Sequence, residues 1–254
     1  MVRNIKITVA YDGTSYNGWQ TQTNGTGIQQ VMEEAASKIM KQKVEITGSG
    51  RTDSGVHALG QVANFRADTR IPQEKIKIAL NAVLPDDISV LDSEDVPLEF
   101  NSRFDAHDKT YMYQIYNSRI GDPFLRNYSC FVPSNLDTEK MERAFRLVEG
   151  EHDFYGFMAA GSQAKTTVRT VYETRFERHG NLIKLFITGN GFLYNMVRII
   201  AGTLIDIGKG TKEVSCIEKA LEERERSVLG QTAEPQGLFL VSVNYKKGLT
   251  INYK

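Results

Sequence analysis

The sequence predicts an α/β (α+β) protein made of two tandem split-βαβ halves, ferredoxin-like or RRM-like in plan. Each half is expected to be a mainly antiparallel mixed sheet with helices on one face, and an active-site cleft is expected between the halves. Three observations carry this expectation. The order strand, helix, strand, strand, helix, strand can be read twice along the chain. The length, 254 residues, suits two units of ordinary size. No Pro- or Ser-rich linker separates them, so the boundary falls in a short seam near Leu98 to Asp108, giving domains 1–104 and 105–254.

In the first half, Ile5, Ile7 and Val9 alternate with Lys6 and Thr8, the period of a half-buried strand. A Gly-rich turn follows, and Ile28, Val31, Met32, Ala35 and Ile39 recur at helical spacing with Thr26 placed to cap them. Val44–Thr47 and Gln61–Arg66 read as short strands around the polar loop GSGRTDSGVHALG. A second helix is expected over Pro72–Leu84, with Ile76, Ala79, Leu80 and Val83 on one face and proline in its first turn. Ile88–Leu91 closes the half as a strand.

The second half repeats the order. Tyr111–Tyr116 alternates as a strand, and Asp137 caps a helix bearing Met141, Ala144, Phe145 and Val148. Val168–Arg178 and Leu182–Thr188 form a hairpin around His179-Gly180-Asn181. A long apolar helix over Gly191–Ile207, a shorter one over Lys212–Glu225 and a last strand over Leu238–Tyr245 complete it.

Composition narrows the function classes. With 41% hydrophobic and 24% charged residues, the chain is neither collagenous nor low-complexity nor disordered. Cys130 and Cys216 are too far apart and too few for a disulfide framework or a metal knuckle, and the four histidines show no ligand spacing. The first ten residues, MVRNIKITVA, hold no apolar core of a secretory signal, and no apolar run reaches the ~20 residues of a membrane helix. The expectation is a cytoplasmic, metal-free protein that does not enter a membrane.

The 31 basic and 31 acidic residues cancel, which at first argues against a polyanionic partner. The average conceals an uneven distribution. Residues 1–100 carry 10 basic against 13 acidic side chains, whereas 161–212 carry 8 basic against 3 acidic. Phosphate contacts depend on local field, so a basic groove lined partly by 161–212 is expected.

The densest polar cluster is the loop Gly48-Ser49-Gly50-Arg51-Thr52-Asp53-Ser54-Gly55-Val56-His57-Ala58. It fails as a dinucleotide fingerprint, because Asp53 stands where the third glycine belongs, and as a P-loop for want of Gly-Lys-Ser/Thr. As an aspartic-protease signature it lacks a second Asp-Thr/Ser-Gly. From spacing alone it is either a decorated turn or a functional loop.

The loop closely resembles the signature of the tRNA pseudouridine synthase A family, Gly-Arg-Thr-Asp-x-Gly-Val-His-Ala. The resemblance extends over almost the whole chain, through Tyr11-Asp12-Gly13-Thr14, Gly18-Trp19-Gln20 and Ile28-Gln29. It continues in Lys109-Thr110-Tyr111-Met112-Tyr113, Gly150-Glu151-His152-Asp153-Phe154, Asn190-Gly191-Phe192-Leu193 and Met196-Val197-Arg198. One departure is visible, Thr232-Ala233-Glu234-Pro235-Gln236-Gly237-Leu238, where the family usually reads Thr-Ala-Pro-Ala before Gly-Leu.

The resemblance implies isomerisation of uridine to pseudouridine in the anticodon stem-loop of tRNA, at positions 38, 39 and 40, by a homodimer. The reaction transfers neither electrons nor phosphate, so it calls for no nucleotide or metal cofactor. Asp53 matches the catalytic aspartate, the expected nucleophile; attack at C1′, attack at C6 and action as a base all stay open. Arg198 matches the basic partner that would keep Asp53 ionised in a dry pocket. By spacing alone the better reading is that Arg198 snorkels from its apolar helix to water. Tyr111 matches the active-site tyrosine, to stack on the flipped uracil, where spacing alone does not separate it from Tyr113. Arg51 would fill the gap left by the base or hold a phosphate, Phe192 would line the uridine site, and His57 would contact substrate or brace the loop. Trp19 reads as a core anchor, with stacking on RNA as the alternative.

Overall fold

A computed structural model describes residues 1–22, 25–162 and 164–246. Chain contacts divide it into two compact units, Met1–Asp108 with the stretch beginning at Phe239, and Lys109–Leu238. In the first unit β1 (Val2–Tyr11), α1 (Ile28–Met40), β2 (Ile46–Gly48), β3 (His57–Asp68), α2 (Gln73–Asn81) and β4 (Ile88–Val96) follow in the expected order. β1 lies between β4 and β3, antiparallel to both, and β2 pairs antiparallel with the far edge of β3. The resulting order, β4-β1-β3-β2, is that of a split βαβ sheet.

The alternation read in β1 is real: Ile5, Ile7 and Val9 are fully buried, against the apolar stripe Ile28, Met32, Ala35, Ala36 and Met40 of α1 and Ile76 and Leu80 of α2 in the same core. Thr26 does not cap α1. Gly27 takes that position without a side-chain bond, because the carbonyls of Gly18 and Trp19 accept from the Ile28 and Gln29 N–H groups at 3.0 and 2.8 Å. α2 stops at Asn81, short of Leu84, where the Asn81 amide pairs with both the N–H and the carbonyl of Val90.

The opposite face of this sheet is closed by a polar device that leaves no periodic signal. Asn4 and Asn64, both buried, point away from the helices. The Asn4 amide donates to the carbonyls of Pro97 and Phe100, each at 2.9 Å, and Asn64 donates to Asn4 Oδ1 at 3.0 Å. Asn64 Oδ1 accepts from the Ser102 N–H at 2.9 Å, and the Ser102 hydroxyl donates to the Thr47 carbonyl of β2 at 2.6 Å. The segment 97–102 is thereby strapped across the sheet, with its buried polar groups satisfied.

The second unit contains β5 (Ala106–Asn117), β6 (Cys130–Val132), α3 (Thr138–Arg146), β7 (Gly150–Asp153), β8 (Val168–His179), β9 (Leu182–Gly189), α4 (Met196–Gly208) and α5 (Cys216–Glu223). β9 runs antiparallel between β5 and β8, β7 extends the sheet beyond β8, and β6 joins β5 in parallel. Asp137 caps α3 as expected, accepting from the Lys140 N–H at 3.1 Å. The hairpin at His179-Gly180-Asn181 is also present, with Gly180 at φ +62°.

Three expectations change. α4 starts at Met196 rather than Gly191, because Asn195 adopts a left-handed backbone at φ 61° and ends the approach loop. α5 is shorter than Lys212–Glu225, beginning only at Cys216. The last strand, β10 (Leu238–Tyr245), was expected to belong to the second half. It returns to the first unit, where Phe239 and Leu240 pair in parallel with His57 and Ala58 of β3. β3 has room there, since β2 covers only its far end at Ala63–Phe65. Among the described residues no helix is long and apolar enough to cross a membrane.

Replacing Asn64 by Ala strands the buried Ser102 N–H and one Asn4 acceptor. The expected loss is about 1–3 kcal/mol of unfolding free energy, read by urea titration with an unchanged slope.

Candidate active site

The polar loop connects β2 to β3, and three residues of the segment 13–19 hold it. Trp19 N–H donates to the Thr52 carbonyl at 3.1 Å. The Tyr16 carbonyl accepts from the Gly55 N–H at 3.3 Å and the Ser54 hydroxyl at 3.2 Å. Gly13 N–H donates to His57 Nδ1 at 3.0 Å. Within the loop, Val56 N–H donates to the Asp53 carbonyl at 3.1 Å, closing a turn with Asp53 at its head.

Buried polar side chains complete the clamp. Thr52 Oγ1 and the Tyr11 hydroxyl share a 2.8 Å hydrogen bond. Ser49 donates to Gln61 Oε1 at 2.5 Å, while Gln61 Nε2 donates to the Gly50 carbonyl at 2.9 Å. Burial pushes the Tyr11 phenol well above its ordinary value, which the Thr52 bond opposes only in part. Trp19, 2% exposed, is the core anchor expected and lies against Gly48, where a Cβ would overlap its indole nitrogen. Gly18 is held at φ +81°, with its α-carbon so close to the Thr52 carbonyl that a Cβ would overlap the oxygen.

These contacts give the Tyr-Asp-Gly-Thr and Gly-Trp-Gln strings their purpose, since both hold the loop. His57 belongs to the same scaffold. It is 1% exposed and stacks on Phe239 with ring centroids 4.7 Å apart. Its Nδ1 lies near both the Gly13 N–H and, at 3.2 Å, the Asp12 carboxylate. The backbone N–H can only donate, so Nδ1 accepts from Gly13. Of the loop's charged residues, Asp53 is half-buried and Arg51 is exposed.

In the second unit Tyr111 and Tyr113 point to the same side of β5, and their environments differ. Tyr113 is fully buried and donates its hydroxyl to the Glu234 carbonyl at 2.8 Å, and burial holds its phenol far above the ordinary range. Tyr111 keeps 9% exposure and meets Phe192 edge-to-face at 5.2 Å. The aromatic pair is the one brought together by the Tyr111 and Phe192 motifs. Tyr113 serves the core.

Arg198 sits in the first turn of α4 and does not snorkel to water. Its Nε donates to the Ala233 carbonyl and an Nη to Asn195 Oδ1, both at 2.8 Å, and the Ala233 N–H returns to the Arg198 carbonyl at 3.0 Å. The segment that departs from the family pattern is therefore the one that orients Arg198 and Tyr113. It does so through the backbone carbonyls of Ala233 and Glu234, so the changed side chains leave the hold intact. Asn195, Ala233, Gln61 and Ser49 are positioning residues that sequence reasoning missed. Only Asn195 carried a signal, as a residue type tolerant of the left-handed region. Among the described residues no group of three or more His, Cys, Asp or Glu is placed to hold a metal ion.

A family model described as tRNA pseudouridine synthase matches residues 7–105 and 144–246, spanning both Asp53 and Arg198. The chain belongs to this family of isomerases. Proteins named tRNA pseudouridine synthase A are similar along their whole length. That of Caldicellulosiruptor bescii is 48% identical over 244 residues, and that of Ruminiclostridium cellulolyticum 46% identical over 245. Each alignment covers 96% of this chain and 100% of the relative. One from Thermoanaerobacter pseudethanolicus is 45% identical over 244 residues.

Two outcomes follow from the clamp. Gly18→Ala should cost roughly 1–3 kcal/mol in urea unfolding and lower activity more than stability alone explains, because the Thr52 carbonyl must move. The Tyr11 and Tyr113 phenols are raised in the folded state, so their stabilising effect is whole below about pH 10, the unfolded value, and lost as pH rises above it. Alkaline titration followed at the tyrosinate band should show both ionising only with unfolding. Ionisation of all tyrosines near pH 10 in the folded protein would contradict this.

Proposed function

We propose that this protein converts uridine to pseudouridine in the anticodon stem-loop of tRNA, at positions 38, 39 and 40, with Asp53 as the nucleophile. The observation that carries the reading is the loop itself. In a member of this family, the aspartate of the signature stands at the head of a turn whose backbone is bonded on both sides. Such preorganisation is what covalent catalysis by a carboxylate requires.

In the proposed reaction the N1–C1′ bond breaks, the base turns and C5 bonds to C1′, while the C5 proton passes to solvent and N1 takes up a proton in its place. The Asp53 carboxylate adds to the nucleoside and is expelled when the new bond is made, so the enzyme ends unchanged. Arg198 supplies the cation that keeps Asp53 ionised away from water. Its pinning by Ala233 and Asn195 supports this role by fixing the direction of the guanidinium. Tyr111, braced by Phe192, stacks on the flipped uracil. Arg51, exposed on the same loop, enters the space the base vacates or holds a phosphate. His57 acts at one remove as a brace of the loop, which its 1% exposure favours over substrate contact. The protein works in the cytoplasm as a homodimer and without a cofactor, and the basic run 161–212 contributes to phosphate binding.

Transfer RNA carrying tritium at uridine C5 tests the reading. Wild-type protein should release tritium, and Asp53→Asn should slow release by roughly 10³-fold or more while still binding tRNA. Arg198→Ala should cost on the order of 10²-fold in rate. Release by Asp53→Asn at the wild-type rate would refute the assignment of Asp53.

A further inference from the structure

We infer that Arg103 and Phe104 form a nucleotide-stacking contact for the substrate RNA, outside the uridine site, on the turn that follows the 97–102 strap. The inference rests on the function proposed above and adds a binding element to it. Phe104 is 77% exposed, and the Arg103 guanidinium lies over its ring at 5.6 Å. A single exposed apolar side chain is unremarkable by itself. What sets this one apart is how firmly its exposure is fixed.

The turn that carries the pair is tied from within and from below. Asn101 Oδ1 accepts from the N–H groups of Arg103 and Phe104 at 2.9 and 3.2 Å. Asp105 accepts from the Asn101 N–H at 2.8 Å and returns its own N–H to the Asn101 carbonyl at 3.0 Å. Beneath it, Ser102 is fully buried, held by Asn64 and Thr47, and its carbonyl accepts from the Tyr245 hydroxyl at 2.7 Å. Buried Ser102 is followed directly by three exposed residues, Arg103, Phe104 and Asp105. The backbone is locked so that an aromatic ring and a guanidinium are presented to solvent.

The position has meaning for the reaction. The strap bonds β2 at Thr47, two residues before the loop bearing Asp53 begins at Ser49. RNA entering to deliver a uridine to Asp53 brings unstacked neighbours with it, whose bases need a new partner. A rigid ring supplies one at little entropic cost, and the adjacent arginine matches the phosphate. The chemistry recognised is a base face with its phosphate, independent of base identity.

Phe104→Ala should raise KM and Kd for tRNA by roughly tenfold with kcat near wild type. Its unfolding midpoint should hold, because the ring is exposed. Phe104→Trp should restore affinity and give fluorescence quenched on titration with tRNA, while Phe104→Leu should not restore it. Arg103→Ala should weaken binding and reduce the salt slope by about one. Unchanged Kd in Phe104→Ala, full rescue by Phe104→Leu, or an unquenched Phe104→Trp would overturn the inference. So would a change in oligomeric state by light scattering at unchanged tRNA affinity, which would assign the ring to a second copy of the chain. Failure of the wild-type protein to release tritium would count against the proposed function instead.

Discussion

The structure turns on the fixing of the β2–β3 connection by backbone groups of the segment 13–19. A loop with three glycines among eight residues is costly to order, and a carboxylate on it would otherwise wander. Trp19 N–H and Gly13 N–H take partners at Thr52 and His57, and the Tyr16 carbonyl accepts from both Gly55 and Ser54. The same segment also receives the first N–H groups of α1 through the Gly18 and Trp19 carbonyls. One stretch of chain thus caps a helix and holds the loop that carries Asp53, so the loop inherits the stability of the unit's core.

The two units solve the positioning problem with different chemistry. In the first, buried hydroxyl and amide side chains, Thr52, Ser49 and Gln61, bind the loop from below. In the second, a long charged side chain is oriented by the Ala233 main-chain carbonyl of a returning segment and by a left-handed asparagine at the helix entry. Backbone holding makes that arrangement tolerant of sequence. The Glu-Pro-Gln string beside Arg198 can differ from the family's usual residues without moving the guanidinium.

Much of this was legible in the sequence. Period-2 and helical patterns located β1, α1, α2, α3, the β8–β9 hairpin and α4 because each has a wet and a dry side, or none that is wet. β6 and β7, at three and four residues, are too short to show a period. The return of β10 to β3 is a long-range pairing that no local pattern encodes. Asp53, Tyr111 and Arg198 stood out through their motifs. Their holders did not: Ala233 acts through its carbonyl, and Gln61 and Asn64 are polar residues in buried strand positions whose value depends on partners distant in the chain. Tyr111 and Tyr113 are two apart and chemically alike, and their surroundings distinguish them: Phe192 for the first and the Glu234 carbonyl for the second.

The claim that the loop is fixed before RNA arrives is tested most directly by native-state amide hydrogen exchange on the protein alone. The Trp19, Gly55 and Val56 amides should exchange slowly, with protection approaching that of β1 and β3, and tRNA should change them little. Exchange of these amides at free-peptide rates until tRNA is added would show that substrate, and not the segment 13–19, orders the Asp53 loop.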